Sequence, residues 1–384
     1  MKKRLVLGVF IITVFIIASA FRYAGHTGDD TKKINKEFNV KPGGKIILDL
    51  NTGGSIQIEG WEKDVVNVVA KINGDDAEDV EFTIDQNGND VNVTSKYKTK
   101  KRSRSADVNL FVNVPKKYNV EYETMGGTVS ISNAEGSFEG QTMGGEIKLS
   151  SLKGKVEMKT MGGSINIRNC DLDGKVKTMG GAIDVDDLVG TVDLSTMGGS
   201  IKQKNVLSRN SDDGKEVTIS TMGGEINVDE AMNGTKVKTM GGEITVNKAA
   251  KFVEAETMGG NIEIREIDGR VKAITMGGNI EVKMVGDPEK GDREVYLKSM
   301  GGDIYLTVPG KLSMDVEIEI GYDKKHDDVK IESDFDLKQE KDVTKNDSNN
   351  SSDKKYLIGT GSFNGGKNKL SIKTFSGNVY LKKG

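Results

Sequence analysis

Apolar and polar residues alternate with a period of two through most of the chain, and glycine pairs break the alternation at regular places. Period two is the signature of strands with one face buried. In the middle of the chain the pattern hardens into a repeat. Thr-Met-Gly-Gly recurs with its methionine at Met125, Met143, Met161, Met179, Met197, Met222, Met240, Met258, Met276 and, behind Ser299 instead of threonine, Met300. The spacing is 18 residues except for 25 before Met222 and 24 before Met300. Each unit reads T-M-G-G-x-I-x-I/V, a polar stretch, then a second alternation. Ile147 and Leu149 show the first run, Val156 and Met158 the second. Two short strands in 18 residues leave no room for a helical crossover. The pattern therefore predicts an all-β chain, a β-solenoid of 18-residue coils with irregular β caps at both ends. Coils would stack about 4.8 Å apart, with columns such as Ile147, Ile165, Ile183 and Ile201 filling the interior.

The apolar parity before each threonine does not match the parity after the glycines, so the chain changes face within Thr-Met-Gly-Gly. Glycine supplies the positive φ or the close backbone approach that such a corner needs. Extending the first strand points threonine inward and methionine outward; extending the second strand backwards points methionine inward. A stripe of ten exposed methionines is larger than soluble surfaces usually carry, so the methionine column is expected in the core. The threonine column is expected to form a stacked hydroxyl ladder or a corner hydrogen bond. An ice-binding role for it is contradicted by its variable charged neighbours Glu123, Gln141, Lys159, Lys177 and Glu256. Stacked thioethers have the softness Cu(I) prefers, but no His or Cys supports them. No metal, no cofactor and no catalytic residue is expected.

The pattern divides the chain into residues 1–24 (signal or membrane anchor), 25–35 (linker), 36–123 (N-terminal β cap), 124–309 (repeat solenoid) and 310–384 (C-terminal β cap with a disordered loop at 334–355). In the first segment Lys2, Lys3 and Arg4 precede the apolar run Leu5–Phe21, which ends in Ala18-Ser19-Ala20. Basic residues stay on the cytoplasmic side, and the small residues fit a cleavage site. The bulk of the chain is therefore expected outside the cytoplasm, anchored in the cell membrane by one N-terminal hydrophobic helix or secreted after cleavage behind Ala20. The two longer repeats add their residues between the first and second strand of a coil, so both loops should leave the same edge.

Composition narrows the chemistry. Of 384 residues, 48 are Gly and only 4 are Pro, which excludes collagen and proline-rich linkers. A hydrophobic fraction of 35% suits a narrow, elongated core. The 55 basic and 58 acidic residues nearly cancel, leaving no field to attract nucleic acid. Cys170 is the single cysteine, so no internal disulfide forms, and it reads as a free thiol in a polar loop. His26 and His326 lie in polar segments outside any nucleophile motif. Trp61 is expected to pack on the N-terminal cap. Lys96, Lys98, Lys100, Lys101, Arg102 and Arg104 form the densest basic cluster, at an expected hairpin tip. It could meet an anionic cell-wall polymer or lipid headgroups.

The segments EFNVKPGGKIILDLNTGGSIQIEGWEKDVVNVVA, VPKKYNVEYETMGG and NGGKNKLSIKTFSGNVYLKK, together with the repeated T-x-G-G/S-x-I, resemble the bacterial putative-adhesin, β-strand-repeat family of unknown function over residues 36–384. The resemblance implies an extracytoplasmic β-solenoid behind a membrane anchor and no catalytic residues. Some relatives sit with envelope-stress systems. The expected function is a non-enzymatic binding or scaffolding rod of the cell envelope, its partners a wall polymer, an envelope protein, the membrane or a second copy. The alternatives are a regulatory partner in envelope stress and, more remotely, a polysaccharide-processing β-helix enzyme. That enzyme would need paired carboxylates and aromatic platforms, and aromatics make up only 5% of the chain.

Overall fold

A computed structural model describes residues 31–99, 105–207, 217–323, 326–344 and 355–384. These residues are all β. They form thirty strands in one hydrogen-bonded sheet, and the helical content is a single 3-10 turn at Ala77–Asp79. No helix among them is long and apolar enough to cross a membrane. The apolar run at the amino terminus, with its expected helix, and His26 lie outside the described residues.

Each repeat contributes two strands, and each strand pairs in parallel with its equivalents in the repeats before and after. Lys153–Thr160 pairs with Glu135–Thr142 on one side and with residues 171–178 on the other. Ile147–Ser150 pairs with Val129–Ser132 and with residues 165–168. The offset is 18 residues, so Ile147, Ile165, Ile183 and Ile201 are successive cross-strand partners. The register survives the irregular repeats: Ile201 pairs with Ile226, and Ile280 with Ile304. The extra residues of the second irregular repeat, between Met284 and Val295, leave the stack at the corner opposite Thr-Met-Gly-Gly, while those of the first fall largely on 208–216, outside the described residues. Inward isoleucines and valines merge into one continuous apolar core that runs from Val40 to Leu381. Burying each such side chain contributes about 1.5–3 kcal/mol, and the stacking spreads that gain evenly along the chain.

The second corner of the coil has its own device. Asn133, Ser151, Asn169, Asp187 and Asn205 recur at 18-residue spacing with φ between 50° and 56°. Left-handed backbone is costly for branched side chains and least costly for Asn and Asp, so this column takes short polar residues. Cys170 follows the bend. It sits in a column with Leu188, is 3% exposed, and belongs to the core rather than to a polar loop.

The ends are built out of sequence order. Strands Lys45–Leu50 and Ser55–Trp61 lie between residues 90–115 and 119–132, pairing in parallel with both. Strands Asn368–Phe375 and Val379–Lys383 likewise lie between residues 295–308 and 314–333. Antiparallel strands then close the stack: Lys32–Asn39 on Val65–Asn73 at one end, Lys338–Val343 on Lys355–Phe363 at the other. Two expected boundaries shift as a result. Lys32–Asn35 is strand rather than linker. Within the loop expected at 334–355, Lys338–Val343 is a strand and Phe335 is buried. The side chains of that edge strand are nearly all exposed, so backbone pairing holds it and no apolar alternation marks it.

Candidate functional site

The Thr-Met-Gly-Gly corners stack into one edge of the molecule. The threonines are buried, and most join two coils. The Thr160 hydroxyl donates to the Gly145 carbonyl of the preceding coil at 2.9 Å and accepts from the Gly163 amide of its own at 3.2 Å. Thr178 repeats this with Gly163 and Gly181, Thr196 with Gly181 and Gly199, and Thr275 with Gly260 and Gly278. Ser299 does the same with Gly278 and Gly302, which explains why serine is accepted there. The expected corner bond is therefore present. It satisfies a carbonyl and an amide that the turn would otherwise bury unpaired.

The two glycines of the corner differ. A Cβ on the second would collide with the carbonyl oxygen of the second glycine one coil back, Gly145 for Gly163 and Gly163 for Gly181. Neither of these glycines has a positive φ, so close approach of the coils imposes glycine. The first glycine is under no such constraint. A Cβ on Gly144 meets nothing within 4 Å, and one on Gly162 comes no nearer than 3.7 Å to any atom.

The methionine column is exposed, which corrects the expected core placement. The ten side chains range from 41% exposed at Met197 to 53% at Met125. The threonine hydroxyl must face inward to reach the glycine carbonyl, and the next residue in an extended strand then faces out. That hydrogen-bonding demand outweighs the general avoidance of apolar stripes. Inside the corner the space is taken by Thr160, Ile165 and their equivalents.

The columns flanking this edge carry opposite charge. Before the threonine stand Lys159, Lys177, Lys238 and Lys298 against Glu123 and Glu256. After the glycines stand Glu146, Glu225, Glu243 and Asp303, with no cation in that column. On the broader faces, acid and base alternate between coils. Glu157 lies 3.2 Å from Lys175 and 3.3 Å from Lys159, whose hydrogen bonds hold its carboxyl below the usual range. Glu256 is lowered in the same way, first by its bond to Lys272. Exposed pairs of this kind stabilise little.

The strands on either side of the basic cluster do not pair with each other: Asp90–Tyr97 pairs with Val80–Asn87 and Lys45–Leu50, and Asp107–Pro115 with Ser55–Trp61 and Val65–Asn73. Ser95 and Leu50 are partners, as are Leu50 and Thr124, so Lys96 follows Ser95 as Met125 follows Thr124. Lys96 thus stands at the amino-terminal end of the same edge. Lys96 approaches Glu81 at 3.4 Å, and Lys98 donates to the Glu78 carbonyl at 2.7 Å. Lys100, Lys101, Arg102 and Arg104 lie outside the described residues. Of the two sequence-derived candidate groups, the structure thus brings the methionine column and Lys96 to one edge.

Elsewhere the side chains serve the fold. Trp61 donates to the Val65 carbonyl at 2.8 Å. His326 faces Asp323 at 2.9 Å on the surface. Arg293, which the sequence reading did not single out, is 1% exposed and pins the 285–294 loop through the Val285 and Lys290 carbonyls and Asp268. Burial pushes the Cys170 thiol up, against hydrogen bonds that lower it. Among the described residues no three of His, Cys, Asp and Glu converge as a metal-ligand set.

No protein family and no curated protein matches this sequence. Solved structures do. A "putative cell adhesion protein" from Clostridium sporogenes matches over 92% of this chain and 100% of its own, at 10% identity and a TM-score of 0.19. A "putative adhesin" from Bacteroides fragilis matches over 66% of this chain and 97% of its own, at 17% identity and a TM-score of 0.30. A "putative adhesin" from Parabacteroides merdae matches over 91% and 96%, at 14% identity and a TM-score of 0.21. At low sequence identity, the chain is structurally similar to bacterial proteins described as putative adhesins and cell adhesion proteins.

Proposed function

We propose that the stacked coils form a non-enzymatic β-solenoid of the bacterial cell envelope, extracytoplasmic and held by the amino-terminal segment, that binds or scaffolds through its Thr-Met-Gly-Gly edge. The observation that carries this reading is the exposed methionine column. Ten apolar side chains face solvent in one line, a feature soluble surfaces keep mainly for contact. The basic segment at the end of the same edge suits an anionic wall polymer or headgroup. Neither needs a metal or cofactor.

Two measurements on the full chain test the proposal. Fractionation with protease added to intact cells should cleave the repeats while cytoplasmic markers survive; protection of the repeats refutes the location. Binding to purified cell wall and to intact envelopes should fall when Met179, Met197 and Met222 become serine, or when Lys96 and Lys98 become glutamate. Unchanged binding of both folded variants refutes the edge as a contact surface.

A further inference from the structure

We infer that the methionine edge docks on the same edge of a second copy of this chain, with the two stacks parallel. The inference rests on reading this edge as a contact surface and adds what covers it.

The first argument is the column of first glycines. Wherever solvent alone governs a corner position, the repeats have drifted: the residue after the glycine pair is Thr128, Glu146, Ser164, Ala182, Asn261 or Asp303. The first glycine has not drifted in any of the ten repeats, although a Cβ there would come no nearer than 3.4 Å to another atom. Nothing within the coil requires glycine at this place. A surface seated against the column does, because any side chain would fill the space.

The second argument is the order of the columns across the edge. All coils run the same way, so the order is fixed: basic column, methionine, first glycine, acidic column. Two such edges placed face to face with parallel axes meet in reverse order. Methionine of one copy then opposes glycine of the other at every coil, and at two coils a lysine meets an acid, Lys238 opposing Glu243 and Lys298 opposing Asp303. The antiparallel arrangement opposes methionine to methionine and lysine to lysine. The parallel pairing is self-complementary in shape, with each copy contributing the same patch, and it brings no two like charges together across these columns. The coil repeat is common to both copies, so the methionine-glycine match recurs at every level, with the charge match added at the coils of Met240 and Met300.

The third argument is size. Ten methionines at about half exposure present on the order of 900 Å², near the ~800 Å² per partner of a standard interface.

The test is sedimentation of the full chain in mild detergent from about 1 to 100 µM, a range that resolves micromolar association. A dimer is expected, weakened by added salt because the flanking columns are exposed. Three changes at Met179, Met197 and Met222 to serine should weaken it at least about tenfold. Gly180→Leu, Gly198→Leu and Gly223→Leu together should do the same by filling the seats. These positions are exposed, and unaltered far-ultraviolet circular dichroism will show that the variants fold. Lys238→Glu with Lys298→Glu should weaken the dimer, and adding Glu243→Lys and Asp303→Lys in the same chain should restore it. A monomer at every concentration, a dimer indifferent to the methionine and glycine changes, or failure of the double reversal to restore it overturns the inference. A monomer whose methionine variants still lose envelope binding would overturn the second copy alone and leave the contact edge standing.

Discussion

The two glycines of one corner offer a controlled test of what holds the coils together. Gly162 and Gly163 are adjacent, both lack positive φ, and alanine at either reduces the freedom of the unfolded chain equally. Only the space around the new Cβ differs. At Gly162 the nearest atom is 3.7 Å away, ordinary contact, so Gly162→Ala should be neutral or stabilise by up to about 1 kcal/mol. At Gly163 the Cβ collides with the backbone carbonyl of Gly145, which has no rotamer in which to escape. The coils must part locally, and the bond from the Thr160 hydroxyl to the Gly145 carbonyl parts with them, leaving both groups unpaired. Each buried group left unpaired costs about 1–3 kcal/mol, so Gly163→Ala should cost about 3–5 kcal/mol. Urea unfolding of the full chain, with hydrogen exchange at the Met161 and Met179 amides as a local readout, compares the two. Equal midpoints for the two variants would refute close stacking as the reason for the second glycine.

Other outcomes follow from the same geometry. Excising Met161–Thr178 should leave a folded chain one coil shorter, since Thr160 then meets Met179 at an equivalent position, whereas removing nine residues should break every column beyond the cut; thermal melting and limited proteolysis distinguish them. Dilute peroxide should convert the ten edge methionines to sulfoxide quickly in the native state while Met158, Met284 and Met314, all 2% exposed or less, stay protected by mass mapping. Burial, with a smaller contribution from Asp90, pushes the Tyr118 hydroxyl up to about 12. A raised folded value means that stability is intact below the ordinary tyrosine pKa near 10 and falls as pH rises from about 10 to 12; Tyr118→Phe should flatten that part of the unfolding curve.

The sequence carried the coil because its evidence is repetitive. An 18-residue period, β-branched alternation and glycine pairs each point to stacked strands, and the parallel pairing of Ile147, Ile165 and Ile183 bears them out. Methionine orientation was harder because two local parities disagreed at the corner. The threonine hydroxyl decides between them, and its partners lie 15 residues away in the preceding coil. The second corner was legible in principle: Asn133, Ser151, Asn169, Asp187 and Asn205 share the period, but their polarity reads as an ordinary turn unless the backbone angle is known. The ends resisted because their pairings ignore sequence order. No local pattern says that Leu50 lies beside both Ser95 and Thr124, and so nothing along the chain placed Lys96 at the end of the methionine edge.

The interleaved carboxyl-terminal end bears on how the protein is made. Residues 368–383 fill a slot between segments synthesised before them, 295–308 and 314–333. While the ribosome is still translating, the growing stack can propagate through the repeats but cannot close there, because residues 368–383 emerge after both segments they join. A prematurely terminated chain would keep a long, well-formed stack with a gap near its end and open strand edges on both sides of the gap, the kind of edge that invites aggregation. Residues 368–383 thus act as a check that translation has passed them: a chain that stops short leaves both flanks of the slot open, a visible mark for cellular proteases.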